Sequence, residues 1–258
     1  MMIESREEQG IAVLELAHGR ANALDLELCN AAVDAFARLE REPVHAVVLT
    51  GRGNIFCAGV DLVRLLDGGA AYARAFVPAL VAAFRTLFTF PKPVIAALNG
   101  HAVAGGCILA CAADRRLIAD TGARVGVPEL RVGVPFPPSA IEVMRTTLTP
   151  ARFRSLIYGG ATLEPLAARE WGLVDEVVPA DELMSTALTV ARDLASIPAD
   201  VFRVTKQQMR MPAMLQMDAA DLQHGHEISR LWSLDATFDT VRDYVERTLR
   251  RPGRSPRS

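Results

Sequence analysis

Two small-residue turns constrain this 258-residue chain more than any other feature. The first is Phe56-Cys57-Ala58-Gly59-Val60-Asp61-Leu62, the second Asn99-Gly100-His101-Ala102-Val103-Ala104-Gly105-Gly106-Cys107, and each lies between an aliphatic run and a helical pattern. A strand that turns directly into a helix leaves backbone N–H groups at the helix start without acceptors, and two such turns can aim their donors at one oxygen. Paired donors of this kind hold an oxyanion. Neither turn has the glycine spacing of a dinucleotide fingerprint or a P-loop, so ordinary packing is the competing reading of each taken alone.

The runs around these turns suggest a sheet. Ala46 to Thr50 and Val94 to Leu98 are almost uninterrupted by polar residues, as expected of strands covered on both faces, which predicts an α/β fold with an at least partly parallel sheet. Ile11 to Leu16 is a further strand, followed by a polar turn through His18-Gly19-Arg20 and a helix from about Leu26 whose inner face carries Leu28, Ala32, Phe36 and Leu39. The apolar stretch Pro93 to Ala113 is long enough for a membrane span, but Pro93, Asn99-Gly100, His101 and Gly105-Gly106 divide it into strand, turn and buried helix. Later, Thr149-Pro150 opens a helix to Gly159-Gly160, Leu163 to Trp171 forms another closed by Gly172, and Leu173 to Val178 is a strand stopped by Pro179. Beyond Asp181 the pattern is helical: Leu183, Ala187, Val190 and Leu194 line one stripe, Pro198 breaks it, and two helices are expected at about 199–211 and 213–250. These divisions give a core over 1–195 and a C-terminal helical region over 196–258. The latter's Leu222, Ile228, Leu231, Trp232 and Leu234 need cover from the same core or from a neighbouring subunit. The tail from Arg250 to Ser258 is basic, rich in Pro and Gly, and expected to be mobile.

The composition is half hydrophobic, enough for a substantial core, and a net charge of −2 argues against a dedicated nucleic-acid binder. Cys29, Cys57, Cys107 and Cys111 lie among buried-looking residues without a secreted framework, and no secretory leader is read at the start; reduced thiols, a cytoplasmic location and no membrane partner are the expectations. Cys107 and Cys111 are one helical turn apart but lack a matching Cys or His pair, so core thiols are expected and no metal. Cys57 has no spaced histidine to activate it, Asp61 reads as a helix-start cap, and His224 and His226 read as surface residues.

The two turns in combination, with Asn22-Ala23-Leu24, Pro91 to Gly100 and Ala168 to Pro179, resemble the crotonase superfamily, the enoyl-CoA hydratase/isomerase group, over nearly the whole chain. The resemblance implies a spiral of ββα units with a C-terminal α-helical trimerisation region, homotrimers or hexamers, and a site for acyl-CoA thioesters, with coenzyme A part of the substrate and no cofactor. Carried over residue by residue, it places the oxyanion donors at the N–H groups of Ala58 and Gly105. His101, near this proposed hole, is a lesser candidate for substrate contact.

Departures from the pattern narrow the reaction. Hydratases of the group carry two glutamates, one to activate water and one to deliver a proton. Here the first position is Ile108, while the second is kept as Glu129 in Gly126-Val127-Pro128-Glu129-Leu130. One carboxylate beside an oxyanion hole suits the transfer of a proton from one carbon to another, and the segment Ala104 to Ile108 is similar to that of the Δ3,Δ2-enoyl-CoA isomerases. Where hydratases have a Gly-rich turn, this chain reads Gly133-Val134-Pro135-Phe136-Pro137-Pro138-Ser139-Ala140, whose prolines remove backbone donors. Phe136 either narrows an acyl pocket or fills the core, and Arg20 and Arg64 are candidates for the coenzyme phosphates. The expected activity is isomerisation of a 3-enoyl-CoA through an enolate. The alternatives are hydration, with Glu129 alone or with a carboxylate from the helix after Asp61 or near Glu142, thioester hydrolysis, and acyl-CoA binding without catalysis.

Overall fold

The computed structural model describes residues 2–248; the tail read as basic and mobile lies outside them. A hairpin of β1 (Ile3–Glu8) and β2 (Ile11–Leu16) leads into α1 (Leu26–Arg41). Three strand–strand–helix units follow: β3 (Ala46–Gly51), β4 (Ile55–Cys57) and α2 (Leu62–Thr89); β5 (Val94–Leu98), β6 (His101–Val103) and α3 (Gly105–Ala112); β7 (Arg115–Ala119), β8 (Val125–Gly126) and α4 (Glu129–Val132). The chain continues through α5 (Pro138–Thr147), α6 (Pro150–Gly159), β9 (Thr162–Leu163), α7 (Pro165–Trp171), β10 (Glu176–Val178), α8 (Leu183–Ala195), α9 (Ala199–Trp232) and α10 (Asp235–Thr248).

The first strand of each unit joins a six-stranded sheet of order β1-β2-β3-β5-β7-β10, and the second a four-stranded sheet of order β4-β6-β8-β9. Pairing is parallel except for β1 with β2 and β8 with β9. The units therefore wind as a spiral, and the turn from each second strand into its helix recurs at one edge. The apolar runs have two covered faces, as their composition predicts: Ala12, Leu14, Val47 and Leu49 belong to the main core, whereas Ile11, Val13, Ala46 and Val48 meet Leu183, Ala187, Leu188 and Ala191 of α8.

Three boundaries differ from the sequence reading. The strand expected from Leu173 begins only at Glu176, because the Leu173 and Val174 N–H groups bond back to Ala168 O and close α7. The helix expected from Leu163 begins at Pro165, Leu163 itself pairing with β8. Pro212 does not divide the C-terminal helix. Lys206 and Arg210 before it are tied to Asp114, Ala213 and Met217 after it enter the main core, and the carbonyl four residues earlier belongs to exposed Gln208, where water can satisfy it. Trp232, Phe238, Val241 and Val245 enter that same core, so the described C-terminal helices share the hydrophobic interior of the spiral.

Candidate active site

The two turns interlock. Gly59 has φ +86°, and a Cβ there would stand 2.7 Å from both Val103 O and the Ala104 Cβ and 3.3 Å from Gly105 N; a Cβ on Gly106 would stand 2.1 Å from Cys57 O. No side chain fits between backbones this close. Ala104, the residue before α3, is held at φ 52°, ψ −129°, a strained conformation for a non-glycine residue that sets the direction in which α3 begins. Leu24 closes the third side, its Cδ1 only 2.7 Å from where a Gly105 Cβ would lie.

The early turn changes the donor assignment. Asn22, at φ 48°, accepts from His18 N at 3.0 Å and donates through Nδ2 to Ile55 O at 2.9 Å, which lays residues 18–24 against the end of β4. Ala58 N then donates to Ala21 O at 3.0 Å, so the N–H expected to face an oxyanion is already engaged. Gly59 N–H is directed at the Cys57 sulfur. The N–H groups of Val60 and Gly105 have no acceptor among the described residues, and these are the pair that can converge on one oxygen. The resemblance pointed to Ala58, whose N–H is engaged by Ala21 O, whereas that of Val60 in the same turn has no acceptor among the described residues. Only the Ala21 contact, from 37 residues earlier in the chain, distinguishes Ala58 from Val60.

Glu129 opens α4 and is 6% exposed, with Oε2 buried and unpartnered. Burial pushes its carboxyl up to about 8, only partly offset by its own N–H. A hydrogen bond to Cys111, burial and the charge of Glu129 hold the Cys107 thiol, on the first turn of α3, well above its ordinary range. Ile108, on that turn, is buried. Glu142 is buried on α5, but its oxygens take Arg145 Nε at 3.0 and 3.2 Å. Glu129 thus offers a buried carboxyl whose proton can exchange near neutral pH, and Val60 and Gly105 offer two backbone donors without acceptors among the described residues.

The other candidates are placed differently. Asp61 caps α2 by accepting from Arg64 N at 2.9 Å, as expected of a helix-start residue. Arg64 is exposed, bonded to Glu27 at 2.8 Å and stacked on the Tyr72 ring, so its guanidinium already has partners within the chain. Arg20 is exposed on the early turn and without an ion pair among the described residues. Phe136 is buried in the main core. His101 accepts from Arg124 N at 3.0 Å, a structural tie. Burial pushes the Cys57 thiol up to about 12, so it is no nucleophile at neutral pH. The His18–Asp25 pair at 2.6 Å, with Asp25 also capping α1, was not foreseen in the sequence reading, and it anchors the early turn. Two clefts of about 590 and 570 Å³ flank the start of α9, and neither is lined by Val60, Gly105 or Glu129.

Known proteins resemble the chain over its length. The Enoyl-CoA hydratase/isomerase profile matches residues 6–248. A probable enoyl-CoA hydratase, echA8, of Mycobacterium tuberculosis is 32% identical over 202 residues, spanning 78% of this chain and 77% of that protein. Enoyl-CoA delta isomerase 1, mitochondrial, of Rattus norvegicus is 28% identical over 98% of this chain and 89% of its own. The crystal structure of human mitochondrial delta3-delta2-enoyl-CoA isomerase superposes with a TM-score of 0.91 at 26% identity, covering 98% of this chain and all of that one.

Proposed function

The chain belongs to the enoyl-CoA hydratase/isomerase family, and from that premise we propose that it moves the double bond of a 3-enoyl-CoA to the 2-position. The observation that carries this reading is a single unpartnered buried carboxyl, Glu129, at a site where Ile108 stands in place of a second one. Ionised Glu129 takes a proton from C2 of the acyl chain. The electron pair moves into the thioester carbonyl, whose oxygen receives hydrogen bonds from Val60 N–H and Gly105 N–H, and protonated Glu129 returns the proton at C4. Hydration would require a second group to activate water. The reaction moves protons alone and calls for no redox cofactor or metal.

The test is turnover of 3-enoyl-CoA and 2-enoyl-CoA panels, with double-bond migration followed by proton NMR and hydration by mass spectrometry. Migration without a mass gain supports isomerisation, and Glu129→Gln should abolish it. A gain of one water supports the second reading, hydration, for which buried Glu142 is a further carboxylate. Release of free coenzyme A would indicate hydrolysis, and binding without turnover a carrier. We further propose assembly into trimers or pairs of trimers: Val201, Val204, Met211, Leu215 and Leu222 are exposed along one side of α9. A monomeric mass by light scattering at micromolar concentration would exclude this. The proposed location is the cytoplasm.

A further inference from the structure

Ser139 is a polar point in an apolar wall. It lies on the first turn of the ten-residue α5, wholly buried, and its hydroxyl has no partner among the described residues. The Ser139 and Ala140 N–H groups also lack acceptors among the described residues; the first to bond in this helix is Ile141 N, to Pro137 O at 3.1 Å. Pro138 supplies no N–H, and Trp232 Nε1 bonded to Pro135 O at 3.0 Å fixes the entry to the turn. Val134 and Phe136 before it, Ala140 after it and Ile108 on α3 are buried and apolar. A buried hydroxyl left unpaired is costly, and a helix start with free N–H groups favours an oxygen in front of it.

This turn lies at the catalytic end of the molecule. The helices α3 and α5 pack side by side, and at their C-terminal ends Cys111, Ala113, Thr146 and Thr147 share one cleft. Helices about 12 and 15 Å long that meet at their C-termini also bring their N-termini to a common end. Those N-termini are Gly105, a proposed thioester donor, and Pro138-Ser139. Glu129 begins the same short segment that leads into α5.

We infer that the first turn of α5 is a subsite for an oxygen carried on the acyl chain, with the Ser139 hydroxyl as its contact. The preferred substrate is then a thioester whose acyl group bears a hydroxyl or carbonyl, rather than a plain alkenoyl chain. This rests on the reading that Val60 and Gly105 hold a thioester, and it specifies what lies beyond it.

Calorimetric binding of hexanoyl-CoA and of its 3-, 4- and 5-hydroxy and 3-oxo derivatives tests the inference without turnover. At least one oxygenated probe should bind roughly 2- to 12-fold more tightly than hexanoyl-CoA, the range of one neutral hydrogen bond, and Ser139→Ala should erase that ratio. Melting of the Ser139→Ala protein separates this from a structural role, because removing an unpartnered buried hydroxyl should leave its midpoint unchanged or raised. Binding of all probes with equal affinity, or an unchanged ratio in Ser139→Ala, overturns the inference while sparing the thioester reading. Failure of hexanoyl-CoA itself to bind overturns both.

Discussion

Two carboxylates of this molecule, part-buried Asp114 and buried Glu129, have opposite surroundings. Asp114, just after α3, is gripped by Lys206 Nζ at 2.6 Å and Arg210 Nη2 at 2.7 Å, and it accepts from Val94 N at 2.8 Å. Arg210 also donates to the Phe88, Ala112 and Ala113 carbonyls, so one side chain of α9 ties the ends of α2 and α3 together. Even here burial prevails over attraction at the lysine, whose ammonium is pulled down to about 8 despite its carboxylate partner. Glu129 has no cation partner and one unpartnered oxygen among the described residues. Asp114 acts as a structural fastener. A bare carboxyl is a poor fastener, but with burial favouring its neutral form and no cation pinning it charged it can exchange a proton near neutral pH.

The contrast can be broken at either carboxylate. Glu129→Gln should lower isomerisation by roughly 10²- to 10⁴-fold, the contribution of a positioned general base, while CoA-thioester affinity stays near that of the parent. Parent-rate turnover would mean that the base lies elsewhere. Asp114→Ala should instead cost roughly 3–5 kcal/mol of stability in chemical denaturation by stranding Lys206 and Arg210, with turnover per folded molecule preserved. Equal losses of activity in folded material would show that the two carboxylates are not independent.

The donors come next in magnitude. Val60→Pro and Gly105→Pro should each lower turnover by roughly 10²- to 10³-fold in protein that circular dichroism shows to be folded. Near-parent turnover in folded Val60→Pro would remove Val60 from the hole and reopen the case for Ala58.

The pH dependence is the smallest effect and sharpens the comparison. With Glu129 near 8, kcat/KM should rise with pH through about 8 and then level off. In stability, the folded value lies above the ordinary carboxyl value of 4.5 that the unfolded chain keeps. The advantage of the protonated state is therefore fully present below 4.5 and is lost as pH rises through about 8. Melting curves of Glu129→Gln and parent should nearly coincide at the acid end, the variant gaining on the order of a few kcal/mol by pH 9. A constant gap across that range would mean that Glu129 does not titrate as its burial requires.

Local pattern carried much of this into the sequence. Uninterrupted aliphatic runs marked β3 and β5, because a strand covered on both faces has no polar side; glycines and prolines marked the ends of α6 and α7; Glu129, after Pro128, was singled out by the family resemblance rather than by local pattern. Other features depended on partners distant in the chain. Whether Ala58 or Val60 has a free N–H is decided by Ala21 O, and the passage of α9 through Pro212 by the hold of Asp114 on Lys206 and Arg210 and by burial of Ala213 and Met217. The isolation of Ser139 likewise depends on how α5 lies against α3. A backbone donor looks the same in the sequence whether free or engaged, and a carboxylate looks the same paired or bare; the difference lies in which distant atom packing brings within about 3 Å.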